Sequence, residues 1–183
     1  MRKQYTDIYK KADHLVQFYG TRDPVSIAVQ LGIYLHDIGG LTDLLGMYTY
    51  RNKERHIILN ADLDYIHRRM VVAHELGHDS LHRAEAKAGS GLQEFNLFYM
   101  RSRMEYEANA FASHILIGND ELLECLKNGY DVVAASNEFE VNINLMLVKL
   151  AELNRLGHRF NLPYIPSNDF MGEIGIGRQE CNL

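Results

Sequence analysis

Cysteine is nearly missing from these 183 residues. Cys125 and Cys181 stand far apart and form no metal-spaced pair, so a thiolate metal cluster is excluded and a reduced, cytoplasmic setting is the expectation. Long apolar runs are missing as well. None approaches the roughly 20 residues that a membrane span needs. The opening Met1-Arg2-Lys3-Gln4-Tyr5-Thr6-Asp7 has no apolar core behind its two positive charges and does not read as a signal peptide. A basic excess is missing too: the formal net charge is −5, and no basic recognition helix is evident. That argues against direct nucleic-acid binding and against an acidic membrane surface as partner. There is no internal repeat and no linker that would divide two large domains.

What is present suits an ordinary soluble core. The chain is 46% hydrophobic and 23% charged, long enough to bury a real interior and short enough for one domain with a small appendage. Residues 4–19 carry Tyr5, Ile8, Tyr9, Ala12, Leu15, Val16 and Tyr19 at three- and four-residue steps, a helix that Gly20 stops. Asp23-Pro24 opens a short second helix, Asp23 as its cap and Gly32 just past its end. Residues 33–35, 46–50 and 55–60 read as strands of a small antiparallel sheet. A helix follows over 65–82 behind Asp62 and Asp64, then a loop over 84–100, whose aromatic half (95–99) is expected beside the active site, then a helix beginning at Ser102. Asn119 starts a short helix ending near Gly129, residues 130–136 give no clear pattern, and Asn137 is taken to cap a long last helix that Gly157 stops. After Pro163 the chain is polar and glycine-rich, a loose tail. The fold class expected is α+β, a small antiparallel sheet packed on helices, with a catalytic domain over 1–129 and a helical C-terminal extension over 130–183.

The chain is organised around Met70-Val71-Val72-Ala73-His74-Glu75-Leu76-Gly77-His78, which contains His-Glu-x-x-His. On a helix, residues four apart sit one above the other, so both imidazoles can reach one ion from one side. Zinc takes nitrogen ligands in a tetrahedral shell and, in catalytic sites, leaves one position open. Glu75 lies about 100° round the helix from His74. It flanks the ion rather than binding it, where a general base stands to take a proton from activated water. Alone the five-residue pattern is weak, and two solvated histidines on a polar surface helix are the bland alternative. The flanks decide against that: Ile66, Met70, Val71, Val72, Ala73, Leu76 and Leu81 make the helix apolar nearly all round. Such a helix is buried, and buried histidines and carboxylates need partners.

The third ligand has more than one candidate. His82 lies four residues past His78, but three successive turns span about 12 Å, too far for one ion; a role behind the ligands or facing the substrate is open to it, with a capping contact as the plain alternative. On the helix after residue 102, Ser102 and Glu105 have capping-box spacing, which is the structural alternative to a metal role for Glu105. Glu105 and Glu107 are about 200° apart, so they cannot both face the ion. Asn109, one turn after Glu105, can take a hydrogen bond from a ligand histidine and fix its tautomer. Glu105 and Asn109 then share one face, and Glu107 is left for the surface. A thiolate from Cys181 is set aside, as are His14, His36, His56, His67, His114 and His158, whose spacing points to nothing.

These pieces together resemble the ImmA/IrrE family of metallo-endopeptidases, found in phages, mobile elements and bacterial regulatory loci. The resemblance runs over residues 23–117: Asp23-Pro24 with its helix ending Leu31-Gly32-Ile33, the strand Ile57-Ile58-Leu59-Asn60, Arg68-Arg69, Ala73-His74-Glu75-Leu76-Gly77-His78 with Leu81-His82, and Glu105-x-x-Ala108-Asn109-x-Phe111-Ala112. It departs at Ile115-Leu116-Ile117-Gly118, where the family has apolar-Leu-Leu-Met-Pro. The resemblance implies a zincin-like fold, one Zn2+ on His74, His78 and Glu105, Glu75 as base, and cytoplasmic cleavage of a helix-turn-helix repressor. The alternative kept beside it is a regulatory module that holds a repressor or antitoxin without cutting it, zinc serving only as a brace. Oligomeric state leaves no mark in the sequence.

Overall fold

The computed structural model describes residues 2–42, 44–88 and 103–162. The 95–99 aromatics, Ser102 and Cys181 lie outside them. Among the described residues there are eight helices and three strands: α1 Arg2–Tyr19, α2 Pro24–Gln30, β1 Tyr34–Ile38, β2 Gly46–Arg51, β3 Glu54–Asn60, α3 Tyr65–Leu81, α4 Arg83–Ala88, α5 Arg103–Leu116, α6 Asn119–Lys127, α7 Val132–Glu138 and α8 Ile143–Leu156. The architecture is α+β, as expected. No described helix is long and apolar enough to cross a membrane.

The sheet differs from expectation. β2 and β3 form the expected antiparallel hairpin, turning at Asn52 and Lys53, both with positive φ. β1, however, pairs parallel to β3 on its other side, so the sheet is mixed, in the order β1-β3-β2. The cause is the connection over 39–45. It leaves β1 where Ile38 pairs with Asn60 and enters β2 where Gly46 pairs with Leu59, crossing the end of β3 rather than turning back as a hairpin. Asn60 pins that crossing: its backbone N–H donates to the Leu45 carbonyl and its side-chain amide to the Leu41 carbonyl. Alternation alone shows strands and not which edge each joins.

The helices hold their sequence signals closely at the start of the chain and less so at its end. Asp23 caps α2, accepting from the amides of Val25 and Ser26, and Asp64 caps α3, accepting from that of His67. Part of the expected 84–100 loop is instead the short helix α4. The unpatterned 130–136 stretch is α7, capped by Asp131. The last helix is capped by Asn142 rather than Asn137, which lies within α7; Glu140, at φ 51°, breaks the chain between the two helices. The departure at Gly118 is absorbed simply: α5 ends at Leu116, and Gly118 is the N-cap of α6 without a side-chain bond.

Two central helices meet in the interior. α3 is buried without a break from Met70 to Asp79, and α5 from Ala108 to Leu116. They pack directly on each other; β2 and β3 cover one flank of α3, while α1 and α8 cover α5. Gly77 sets their separation. A β-carbon there would lie 2.8 Å from the Ala108 Cα and 2.9 Å from its carbonyl oxygen, closer than packing allows. The missing side chain brings the first buried turns of α5 against the middle of α3.

Candidate metal centre

At that contact α3 contributes His74 and His78, stacked one turn apart, and α5 contributes Glu105, one turn before Ala108. His74 Nε2 and His78 Nε2 are 3.1 Å apart. A Glu105 oxygen lies 3.2 Å from the first and the other oxygen 3.5 Å from the second. Four donors at the 2.0–2.1 Å typical of zinc would be separated by about 3.3–3.4 Å along the tetrahedron's edges. The three separations observed bracket that value, the two to Glu105 ending on different carboxylate oxygens. Among the described residues this is the one group of three or more metal-binding side chains brought together in this way.

Each ligand atom is aimed by what stands behind it. His74 Nδ1 lies 2.7 Å from the Asn109 side-chain oxygen. A carbonyl oxygen only accepts, so Nδ1 carries the proton and Nε2 presents its lone pair. The contact expected of Asn109 is therefore present. Glu105 is turned to the imidazoles, its carboxylate 12% exposed. Glu107 is where expectation and structure part: it is not a surface residue. Its side chain is 13% exposed, 3.2 Å from His82 Nε2, and it accepts from Arg103 Nε at 2.6 Å. His82 closes the C-terminal end of α3 and is buried, with Nδ1 3.1 Å from His78 Nδ1. It is not grouped with the three convergent donors. The signal for this contact was the four-residue step from His78 to His82; the partner on α5 was not legible.

The electrostatics follow from burial and from these contacts. Burial alone would push the Glu105 carboxyl up, but hydrogen bonds and charge from His74 and His78 hold it well below the usual range. Burial pulls His78 down to about 4 despite Glu105, while at His74 the Glu105 and Glu75 carboxylates outweigh burial and raise it. Glu75 is the unusual group. It is fully buried, and among the described residues no side chain donates to either carboxylate oxygen. Desolvation pushes its carboxyl up to about 7; the His74 charge opposes this first and the Tyr48 backbone N–H after it, while the Glu105 carboxylate adds to it. Gly46 at the start of β2 leaves the room in front of it, since a β-carbon there would stand 2.3 Å from Val71 and 3.4 Å from a Glu75 oxygen.

Two imidazole nitrogens, a carboxylate and a second buried carboxylate without side-chain partners among the described residues are a donor set that suits a divalent cation of the zinc class. A cation there would relieve the cost of burying Glu75 as an anion. The neighbouring polar residues are committed elsewhere. Asp79, one residue past His78, accepts from the Tyr48 hydroxyl at 2.7 Å and from Arg55 and Arg83. The Tyr106 hydroxyl donates to Glu152 at 2.6 Å. Arg68 pairs with Asp37, and Arg69 with Glu140 at 3.1 Å, so this arginine pair ties α3 to β1 and to the turn before α8.

The sequence model of the peptidase M78 family, described as an IrrE N-terminal-like domain, matches residues 26–151. A protein of Bacillus phage phi105 named "uncharacterized immunity region protein 2" is 28% identical over 116 residues, covering 63% of this chain and 72% of that protein.

Proposed function

The chain belongs to the peptidase M78 family with the IrrE N-terminal-like domain, the ImmA/IrrE peptidases, and from that premise we propose that it is a zinc-dependent endopeptidase that cuts a helix-turn-helix repressor of the phage or mobile-element type. The observation that carries the reading is the cluster of His74 Nε2, His78 Nε2 and the two Glu105 oxygens, in contact at 3.1, 3.2 and 3.5 Å, beside a buried carboxylate that no described side chain satisfies. The repressor is suggested by the family resemblance and by a relative whose name places it in an immunity region.

In this reading His74, His78 and Glu105 hold one zinc ion. When bound, zinc supplies Lewis acidity, acidifying water and polarising a peptide carbonyl. The chain's own residues do the rest. Asn109 keeps the proton of His74 on Nδ1. Glu75, with no competing side-chain hydrogen bond, takes a proton from the attacking water and returns it to the leaving amine. In the metal-free chain burial raises this carboxyl to about 7, and a bound cation would lower it towards the ionised form that accepts the proton.

The test is direct. Purified chain loaded with Zn2+ is mixed with the repressor encoded beside its gene, with and without a chelator. Two discrete fragments, formed only with metal and not by Glu75→Gln, are expected. An intact complex with no fragments would favour the non-cleaving binding module instead.

A further inference from the structure

Behind His78 runs a chain of contacts that the proposed chemistry does not use directly. His78 Nδ1 faces His82 Nδ1 at 3.1 Å, His82 Nε2 faces a Glu107 oxygen at 3.2 Å, and the other Glu107 oxygen accepts from Arg103 Nε at 2.6 Å. We propose that His82 and Glu107 are positioning residues that fix the tautomer and ring plane of His78 from the second helix. The inference rests on the reading of His78 as a metal ligand.

Hydrogen-bond direction carries the argument. A carboxylate only accepts, so the hydrogen between it and His82 must sit on His82 Nε2. With His78 holding the metal through Nε2, as the proposed function requires, its hydrogen is on Nδ1 and His82 Nδ1 is the acceptor. The lone pair of His78 is then on Nε2, the atom turned towards His74 and Glu105. Each ligand histidine is thereby backed by a group that fixes its proton on Nδ1: His74 by Asn109, His78 by His82 with Glu107 beyond it. A histidine at the end of a helix is ordinarily solvated, where its charge suits the dipole. His82 is instead 4% exposed, at a place where a cap alone would need no second nitrogen. The arrangement also explains why two glutamates stand two residues apart on α5: Glu105 faces the site, and Glu107 reaches round to the chain behind it.

The experiment measures zinc affinity and ring tautomers rather than turnover. Metal-free protein is titrated with Zn2+ against a chromophoric chelator for the wild type, His82→Phe, His82→Asn and Glu107→Leu. Nitrogen-15 NMR of histidine-labelled wild type reads the proton positions, with His78 and His82 assigned from their variants. Expected are a His78 protonated on Nδ1 and a His82 protonated on Nε2. His82→Phe should weaken zinc binding about 10- to 100-fold, and Glu107→Leu should weaken it in the same direction. His82→Asn, whose amide oxygen stands near the lost Nδ1, should recover most of the loss, which a purely space-filling role would not. Wild-type affinity in a folded His82→Phe would overturn the proposal. So would a His78 protonated on Nε2 in the wild type, a result that stands even if a variant fails to fold. Failure of the wild type itself to bind zinc would instead remove the metal reading on which this one rests.

Discussion

Glu75 and Glu105 are the same residue type pushed in opposite directions. Glu75, fully buried with no side-chain donor, rises to about 7, and Glu105, set between two imidazoles, falls. Opposed shifts in one site separate a proton carrier from an anionic ligand. Glu75→Gln removes the carrier and keeps the shape, so it should hold zinc at near wild-type affinity while cleavage drops by about 10²–10⁴; cleavage of the repressor at the normal rate by that variant would show that Glu75 is not the base. Glu105→Ala should weaken zinc binding well beyond Glu107→Ala, because the first deletes a donor and the second only loosens what lies behind one. Chelator competition ranks them, and a reversed order would reassign the ligand. That the two glutamates could not both face the site was readable in the sequence, because about 200° of helix separates them whatever the fold; the structure groups Glu105 with the two histidines. The reach of Glu107 to His82 was not readable, because it depends on how closely α5 crosses α3.

That crossing is the element-scale determinant of the site, and Gly77 controls it. Within the His-Glu-x-x-His pattern Gly77 is an unspecified position, yet its absent side chain lets the Ala108 backbone sit against α3. Gly77→Ala must part the helices, at a cost of roughly 1–3 kcal/mol for overpacking. Glu105 lies one turn from Ala108 on α5 and moves with it. The variant should therefore lose zinc affinity along with thermal stability. Leu122→Ala, which opens a cavity on α6, an element that packs on α7, should lower the melting temperature while folded protein binds zinc as before. If both variants lose affinity equally, the α3–α5 spacing is not what aims Glu105. Elements carried by strong periodicity, such as α1, α3 and α5, were legible because a buried face repeats every 3.6 residues. The seven-residue α7 has too few turns to show that repeat, and β1 alternates the same way whichever edge of β3 it joins. The mixed sheet and the Asn142 cap were decided by tertiary contacts of Asn60 and by the break at Glu140.

At the scale of the whole molecule, α8 closes the interior with a lysine. Lys149 is 1% exposed, its Nζ 3.0 Å from His114 Nδ1 on α5, while the Arg22 guanidinium holds the His114 and Ile115 carbonyls beside it. Burial pulls the amine down to about 7, assisted by Arg22 and opposed by Asp13, Glu121 and Glu152; burial, with Lys149 and Arg22, also holds His114 well below its ordinary range. Two neighbouring cations cannot be kept there, so the packed state favours a neutral amine. The sign follows from proton counts. Between about 7 and 10.5 the unfolded chain holds a proton on Lys149 that the folded chain has lost, so its contribution to stability rises with pH and levels off above 10.5. Below about 7 both states are protonated and the penalty is present in full. The stability difference between the wild type and Lys149→Met, measured by denaturant titration with a chelator present so that zinc linkage drops out, should therefore shift towards the wild type from pH 7 to pH 10.5. Its slope should approach at most about 1.4 kcal/mol per pH unit. Parallel stability curves for the two proteins would mean that Lys149 reaches water and keeps its charge. In that case α8 would not seal α5 as closely as packing of Leu145, Met146, Leu150 and Leu153 implies.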